Sequence, residues 1–323
     1  MALEDMKKLL KKKALPAAIT ITAGLFFFTA FLPEARAAAV GQFLYTLANF
    51  DGTVPYNWVR IFPDRERKEI YVSDGSVSIF NASGMLLYSF GDDGSLGNIQ
   101  AAAVDKDGNI LLLSYLTYDK YVLTLCNYRG EPISTIELKN VPRQVPGTFF
   151  PDEMVYRNGH IFLVDRGGMA VVETDTKGNF EKFYDLFATL KLKESERTAV
   201  DIMGFSVDGA GNLYFTVPVY FRAYRLSPDG KLAAFGQRGS SPGKFNIASG
   251  IAADKRGNIF VVDKLKCAVL VFDKNFNFLT QFGYWGFDPG NLISPDDVVV
   301  MDDTLYVSQS RSRGVNVYRV VFN

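Results

Sequence analysis

The chain is poor in the residues from which reactive centres are usually built. Its 323 residues include two cysteines, one histidine and two tryptophans. Isolated thiols at Cys126 and Cys267 exclude a C-x-x-C-H haem attachment and a cysteine-bound zinc site, which both need clustered cysteines. The two fall in different repeat units, so they are expected to stay unpaired and to pack as small hydrophobes. A single histidine, His160, speaks against a zinc centre that takes two or three imidazoles. It replaces the Asn of a Gly-Asn-Ile turn and reads as an exposed turn residue. No G-x-S-x-G elbow, P-loop, dinucleotide-binding glycine fingerprint or EF-hand loop occurs. An excess of one charge is missing too, because 35 Lys and Arg balance 35 Asp and Glu. Nothing in that balance draws the chain as a whole to nucleic acid.

What the chain does have is repetition. Six times a short polar turn runs into a strand that opens with Ile or Leu, at Ile70, Ile110, Ile161, Leu213, Ile259 and Leu305. The intervals are 40, 51, 52, 46 and 46 residues. A period of about 45 with several strands per unit predicts a β-propeller. The fifth unit predicts strands a to d over 248–253, 258–262, 268–272 and 278–282. Val, Ile, Phe and Leu fill these strands, and Asp, Asn and Gly fill the turns between them. The last unit has no room for a fourth strand after 315–321. An unassigned strand at 43–47 is therefore expected to complete it and close the ring. The main insertion, 184–198, is expected to hold a short surface helix.

The N-terminal segment reads differently. Lys7, Lys8, Lys11, Lys12 and Lys13 precede an apolar stretch over 14–32, and Ala35 and Ala37 then supply an A-x-A-like site. This is the layout of a secretory signal peptide. The apolar stretch would also suffice as an uncleaved membrane anchor. No cysteine follows it, so there is no lipoprotein attachment point. The expected division is a signal segment over 1–37 and one propeller over 38–323. Taking the six basic and three acidic residues of 1–37 away leaves a net charge of −3. The expected location is the periplasm or cell surface, and the expected state is a monomer.

The turn-and-strand units resemble NHL repeats. That pattern joins strand a to D-x-x-G-N-I-Y-V-A-D, then V-F-D, then F-G. The fifth unit follows it through Asp254, Gly257-Asn258-Ile259, Asp263, Phe272-Asp273 and Phe282-Gly283. The resemblance covers nearly all of 43–320 and implies an all-β, six-bladed propeller. The name-giving Asn-His-Arg is absent, with Lys266-Cys267-Ala268 in its place. What carries over is the strand-end Asp at Asp74, Asp165 and Asp263, expected to hydrogen-bond neighbouring loop backbone. The scarcity of histidine argues against a peptide-amidating lyase of this fold.

Two functional readings follow. In the first, the b–c loops, which share one end of the ring with the d–a loops, form a basic and aromatic binding face. Its residues are Tyr115, Tyr118, Lys120, Arg166, Tyr220, Arg222, Lys264, Lys266, Arg311 and Arg313, with Arg143, Arg238, Tyr284 and Trp285 from the d–a loops. Tyr, Trp and Arg are the types enriched at interface hot spots. Such a face suits a protein partner or an anionic ligand in the cell envelope, needs no cofactor, and touches membrane only through an uncleaved N-terminal segment. In the second reading, Asp152, Glu153, Asp201, Asp296 and Asp297, at or before strand a, hold a divalent metal in the central channel. The resemblance to sugar lactonases then implies a metal-dependent hydrolase.

Overall fold

The computed structural model describes residues 39–49, 52–53, 59–310 and 314–322. The signal-peptide reading over 1–37 and the candidates Arg311 and Arg313 lie outside the described residues. Six small antiparallel sheets of four strands each make a six-bladed β-propeller. Blade 1 is Arg60–Asp64, Glu69–Ser73, Val77–Phe80 and Leu86–Phe90. Blade 2 is Asn98–Val104, Ile110–Thr117, Lys120–Cys126 and Pro132–Ile136. Blade 3 is Glu153–Arg157, His160–Asp165, Ala170–Asp175 and Phe180–Asp185. Blade 4 is Phe205–Val207, Leu213–Val217, Arg222–Leu226 and Leu232–Phe235. Blade 5 is Ala248–Ala253, Ile259–Asp263, Ala268–Phe272 and Phe278–Phe282.

Blade 6 takes strands a to c from Pro295–Met301, Thr304–Gln309 and Val315–Phe322, and its outer strand is Ala39–Thr46. The N-terminal strand thus supplies the missing fourth strand, in register from Ala39 opposite Phe322 to Thr46 opposite Asn316. The innermost strands touch in sequence, and Pro295–Met301 meets Arg60–Asp64 to complete the circle. The ring has a loop end, where the b–c and d–a connections lie, and a turn end, where the a–b and c–d turns lie. Ala39 and Phe322 sit at the turn end.

The near-continuous apolar runs are explained by burial on both faces. Every residue of Ile259–Asp263 and Ala268–Phe272 is buried, whereas the outer strand Phe278–Phe282 is only partly so. The core lies between blades rather than at one centre. One cluster joins Phe162, Val164 and Val171 of blade 3 to Phe205, Phe215 and Tyr224 of blade 4. Another joins Phe235 of blade 4 to Ile259 and Phe272 of blade 5. Strands sandwiched in this way show no polar-apolar alternation.

Turn chemistry sets the strand entries. The Asp254 carboxylate accepts from the Arg256 and Asn258 backbone N–H groups and from the Asn258 side chain, each at 2.8 Å. The same three bonds recur at Asp105, Asp175, Asp208 and Asp273. This is why Asp and Asn stand four apart in the repeat. The strand-end Asp ties the loop end together. Asp263 accepts from Asn246 and Ile247 of the d–a loop and from Leu265 and Lys266 of its own b–c loop. Asp165 does the same with Phe150 and Gly168, and Gln309 substitutes in blade 6 by accepting from Ile293. In blade 1 Asp74 accepts a local bond from Ser76.

Cys126 and Cys267 are free and buried. The insertion carries a short helix, Leu186–Thr189, capped by Asp185, and a 3-10 turn, Glu194–Glu196. It is less superficial than expected, because Leu186 and Phe187 are buried in the cluster between blades 3 and 4. His160 also departs from expectation. It opens strand b of blade 3, where pairing of that strand with Ala170–Asp175 sets its ring beside Glu173 and Glu181.

Candidate functional site

At the loop end, the starts of the innermost strands and two b–c loops bring seven charged side chains around the ring axis. Arg166 holds Asp152 through Nε at 2.7 Å and Nη2 at 2.6 Å, and its Nε lies 3.8 Å from Glu153. Lys264 lies 2.5 Å from Asp296. Asp297 accepts from the Ile61 N–H at 3.2 Å, and Arg60 acts electrostatically on both Asp297 and Glu153. Burial works against the Arg166 charge, but Glu153 and Asp152 offset it and leave its pKa above the ordinary arginine range. Burial also raises Asp297, against the pull of Arg60. Glu153 is pushed up to about 7 by burial, with Arg60 and Arg166 opposing. Its Oε2 is buried without a hydrogen-bond partner.

These residues do not fit a divalent metal. Four carboxylates are interleaved with Arg60, Arg166 and Lys264, so most of their charge is already compensated. Among the described residues, no three of Asp152, Glu153, Asp201, Asp296 and Asp297 bring ligand atoms within 4.8 Å of one another. Asp201 is exposed and stands apart from the network. The grouping that does meet that distance is His160, Glu173 and Glu181, on the outer part of blade 3.

The state of Glu153 has a measurable consequence. Its carboxyl ionises near 4.5 when unfolded and near 7 when folded. Between those values the unfolded chain has lost a proton that the native state keeps, so stability falls as pH rises through the window and levels off above it. Replacing Glu153 by Gln is therefore expected to stabilise the fold at pH 8 by up to about 3 kcal/mol and to change little at pH 4. Denaturant titrations across this range check it, and a difference that does not grow with pH would refute the assignment.

The other sequence candidates are distributed around this cluster. Tyr115 packs on Phe150 with ring centroids 4.7 Å apart and donates to the Pro151 carbonyl, and burial pushes its hydroxyl up to about 12. Tyr220 donates to Glu196, and Lys266 donates to the Ser241 carbonyl. Tyr118, Arg222 and Trp285 are exposed, with Trp285 edge-on to Phe287. Arg166 and Lys264 are turned inward to carboxylates, so the face is less basic than its composition suggests.

Sequence reasoning missed two things here. Arg60 went unnoticed because an Arg opening a strand carries no signal by itself. Exposed apolar residues of the same loops, Leu116, Val141, Val219, Leu265 and Phe287, also escaped attention. For all but Leu116, which lies near the end of strand Ile110–Thr117, their position in connections rather than strands was the available clue. Along the axis runs a cavity of about 570 Å³, lined by the innermost strands of all six blades and by the a–b turns of blades 1, 2 and 3. Among the described residues, no b–c or d–a loop residue lines it.

No protein-family model matches this chain, and no curated protein does. Solved structures do match. Virginiamycin B lyase from Staphylococcus aureus superposes with a TM-score of 0.54 at 10% identity, over 85% of this chain and 86% of its own. Regucalcin, a calcium-binding protein from Agrobacterium tumefaciens, gives 0.57 at 16% identity, over 86% and 96%. A Bacteroides thetaiotaomicron protein of unknown function gives 0.58 at 12% identity, over 88% and 76%. At such identities the likeness is one of fold, and the fold is the six-bladed propeller.

Proposed function

We propose that this is an exported propeller of NHL type that docks a protein partner in the cell envelope on its loop end. One observation carries this reading. Seven of the sixteen large hydrophobic side chains that stand exposed among the described residues belong to b–c and d–a loops, including Tyr118 at 93% exposure, Leu265 at 66%, Tyr284 at 64% and Trp285 at 62%, and Leu116 adjoins them near the end of a strand b. Exposed apolar residues gathered in this way cost solubility and mark interaction surfaces. Arg222 lies on the same end and adds charge at the rim, where it steers association with an acidic partner. The strand-end carboxylates hold the loops in place, so the face is preorganised. Export is inferred from the lysine run, the apolar stretch and Ala35-x-Ala37. The metal-dependent hydrolase has against it the cations threaded between its carboxylates.

The combined change Tyr118→Ala, Leu265→Ala and Trp285→Ala is expected to leave the melting temperature almost unchanged, since all three tips are exposed. It should reduce recovery of envelope partners in a quantitative pull-down by roughly tenfold or more. Arg222→Glu should act mainly through slower association and altered salt dependence. A control at the turn end, Met85→Ala with Tyr128→Ala, should bind as wild type. Equal recovery by all proteins would sink the reading.

A further inference from the structure

The opposite end of the ring has a different character. The axial cavity, at about 570 Å³, is of the size that holds small organic ligands. Val155, Phe205 and Val298 line its length, with Ala102 and Ala252 keeping it wide. Among the described residues its lining reaches no further toward the loop end than Glu153 and Asp297, and at the turn end its wall passes into the exposed rim residues Glu66 and Lys106. Its mouth is therefore at the turn end.

Two guanidinium groups lie at that opening. Arg65 reaches from blade 1 to blade 6, where Nη1 donates to the Val300 carbonyl at 2.6 Å. Arg157 comes from blade 3, and its Nε is buried without a hydrogen-bond partner. Neither has a carboxylate within 4 Å among the described residues. The rim carboxylates Asp64 and Asp105 are engaged by backbone N–H groups of their own turns. Burial and the neighbouring Arg157 pull the Arg65 pKa down to about 10, against the effect of Asp302. Burial lowers Arg157 too, with Asp208 opposing. Two like charges held close at the mouth of an apolar channel, with donors to spare, form a surface complementary to an anion. The loop-end cluster is the reverse case, with carboxylates and cations already matched.

We propose that the channel binds a small amphipathic organic anion, its head paired to Arg65 and Arg157 at the turn end and its apolar body inside the ring. The guanidinium fork suits a carboxylate head, which accepts two parallel N–H bonds. This site is separate from the protein-docking face and does not depend on it.

The probe is decanoate, titrated calorimetrically into the full-length protein, with neutral decanamide and inorganic phosphate as comparisons. Decanoate should bind, and each comparison should bind roughly tenfold more weakly or worse, since each lacks half of the recognised chemistry. Arg65→Gln with Arg157→Gln should weaken decanoate binding by a similar factor. Arg222→Gln, at the other end, should leave it unchanged. A photoreactive diazirine analogue of decanoate supplies a readout on the wild-type protein, independent of how the variants fold. Labelling of peptides 153–159 and 205–207 supports the proposal. It is overturned by absence of decanoate binding, by equal binding of decanamide, by wild-type affinity in a folded double variant, or by labelling confined to the loops around Tyr118 and Trp285.

Discussion

Removing residues 39–46 is expected to abolish the closed ring and leave a protein that aggregates or melts more than about 10 °C lower. The strand pairs along its length with Val315–Phe322. Phe43 sits edge-on to Tyr318 with centroids 5.8 Å apart, Thr46 donates to the Asn316 side chain at 2.8 Å, and Tyr45 crosses to the Ala82 carbonyl of blade 1 at 2.7 Å. Ladder bonds contribute about 1 kcal/mol each, so the loss amounts to several kcal/mol, a large part of what a domain has in reserve. The deletion also bares the edge of Val315–Phe322, a template for pairing with another chain. Size-exclusion chromatography and thermal melting read the two effects separately. A monomeric deletion protein with unchanged melting would show that this strand does not clasp the ring.

Gly250→Ala is expected to destabilise the propeller by ~2–3 kcal/mol through backbone collision alone. A Cβ at Gly250 would stand 2.7 Å from the Val298 nitrogen, 2.8 Å from the Asp297 Cα and 2.9 Å from the Asp296 oxygen. All three atoms are backbone, so no side chain can swing aside. Gly204 is held likewise against Ser249, Gly250 and Ile251, which makes the innermost strands of blades 4, 5 and 6 approach through glycine. Gly230 is the comparison. It has a φ of +84° but nothing within 4 Å of a Cβ, so Gly230→Ala should cost only about 1 kcal/mol. Denaturation midpoints of the two variants distinguish strain in a turn from crowding at the axis. If Gly250→Ala loses no more than Gly230→Ala, the close approach of blades 5 and 6 is not what the glycine serves.

The fold was legible because its signals are local. In blade 5 three strands fall on the expected residues, and strand b, Ile259–Asp263, is shifted by one. An Asp-x-x-Gly-Asn turn satisfies its own hydrogen bonds within five residues, so it reads the same in any context. The clasp followed from counting, since a final unit with three strands and a spare strand at the start leave one solution. The insertion was misjudged in depth, because only the neighbouring blade 4 decides that Leu186 and Phe187 have an apolar surface to cover.

The candidate site was legible only as a list of residue types. The repeat correctly assigned Arg166, Lys264 and Lys266 to connections at one end of the ring, whereas Arg222, expected in a connection, opens strand c of blade 4. It could not say that Arg166 meets Asp152, or that Lys264 meets Asp296, which is contributed by the next blade 32 residues on. Nor could it join Arg65 to Arg157 at the mouth of the channel, because they belong to blades 1 and 3. By itself the sequence determined the six-bladed propeller, its closure and the end of the ring to which each loop belongs, since these rest on period and turn chemistry. Tertiary structure alone decided which charges are compensated, at which end the channel has its mouth and where two cations come close enough to act on each other. The physical reason is that Coulomb and desolvation terms depend on distances across blades, and the repeat pattern along the chain does not encode those distances.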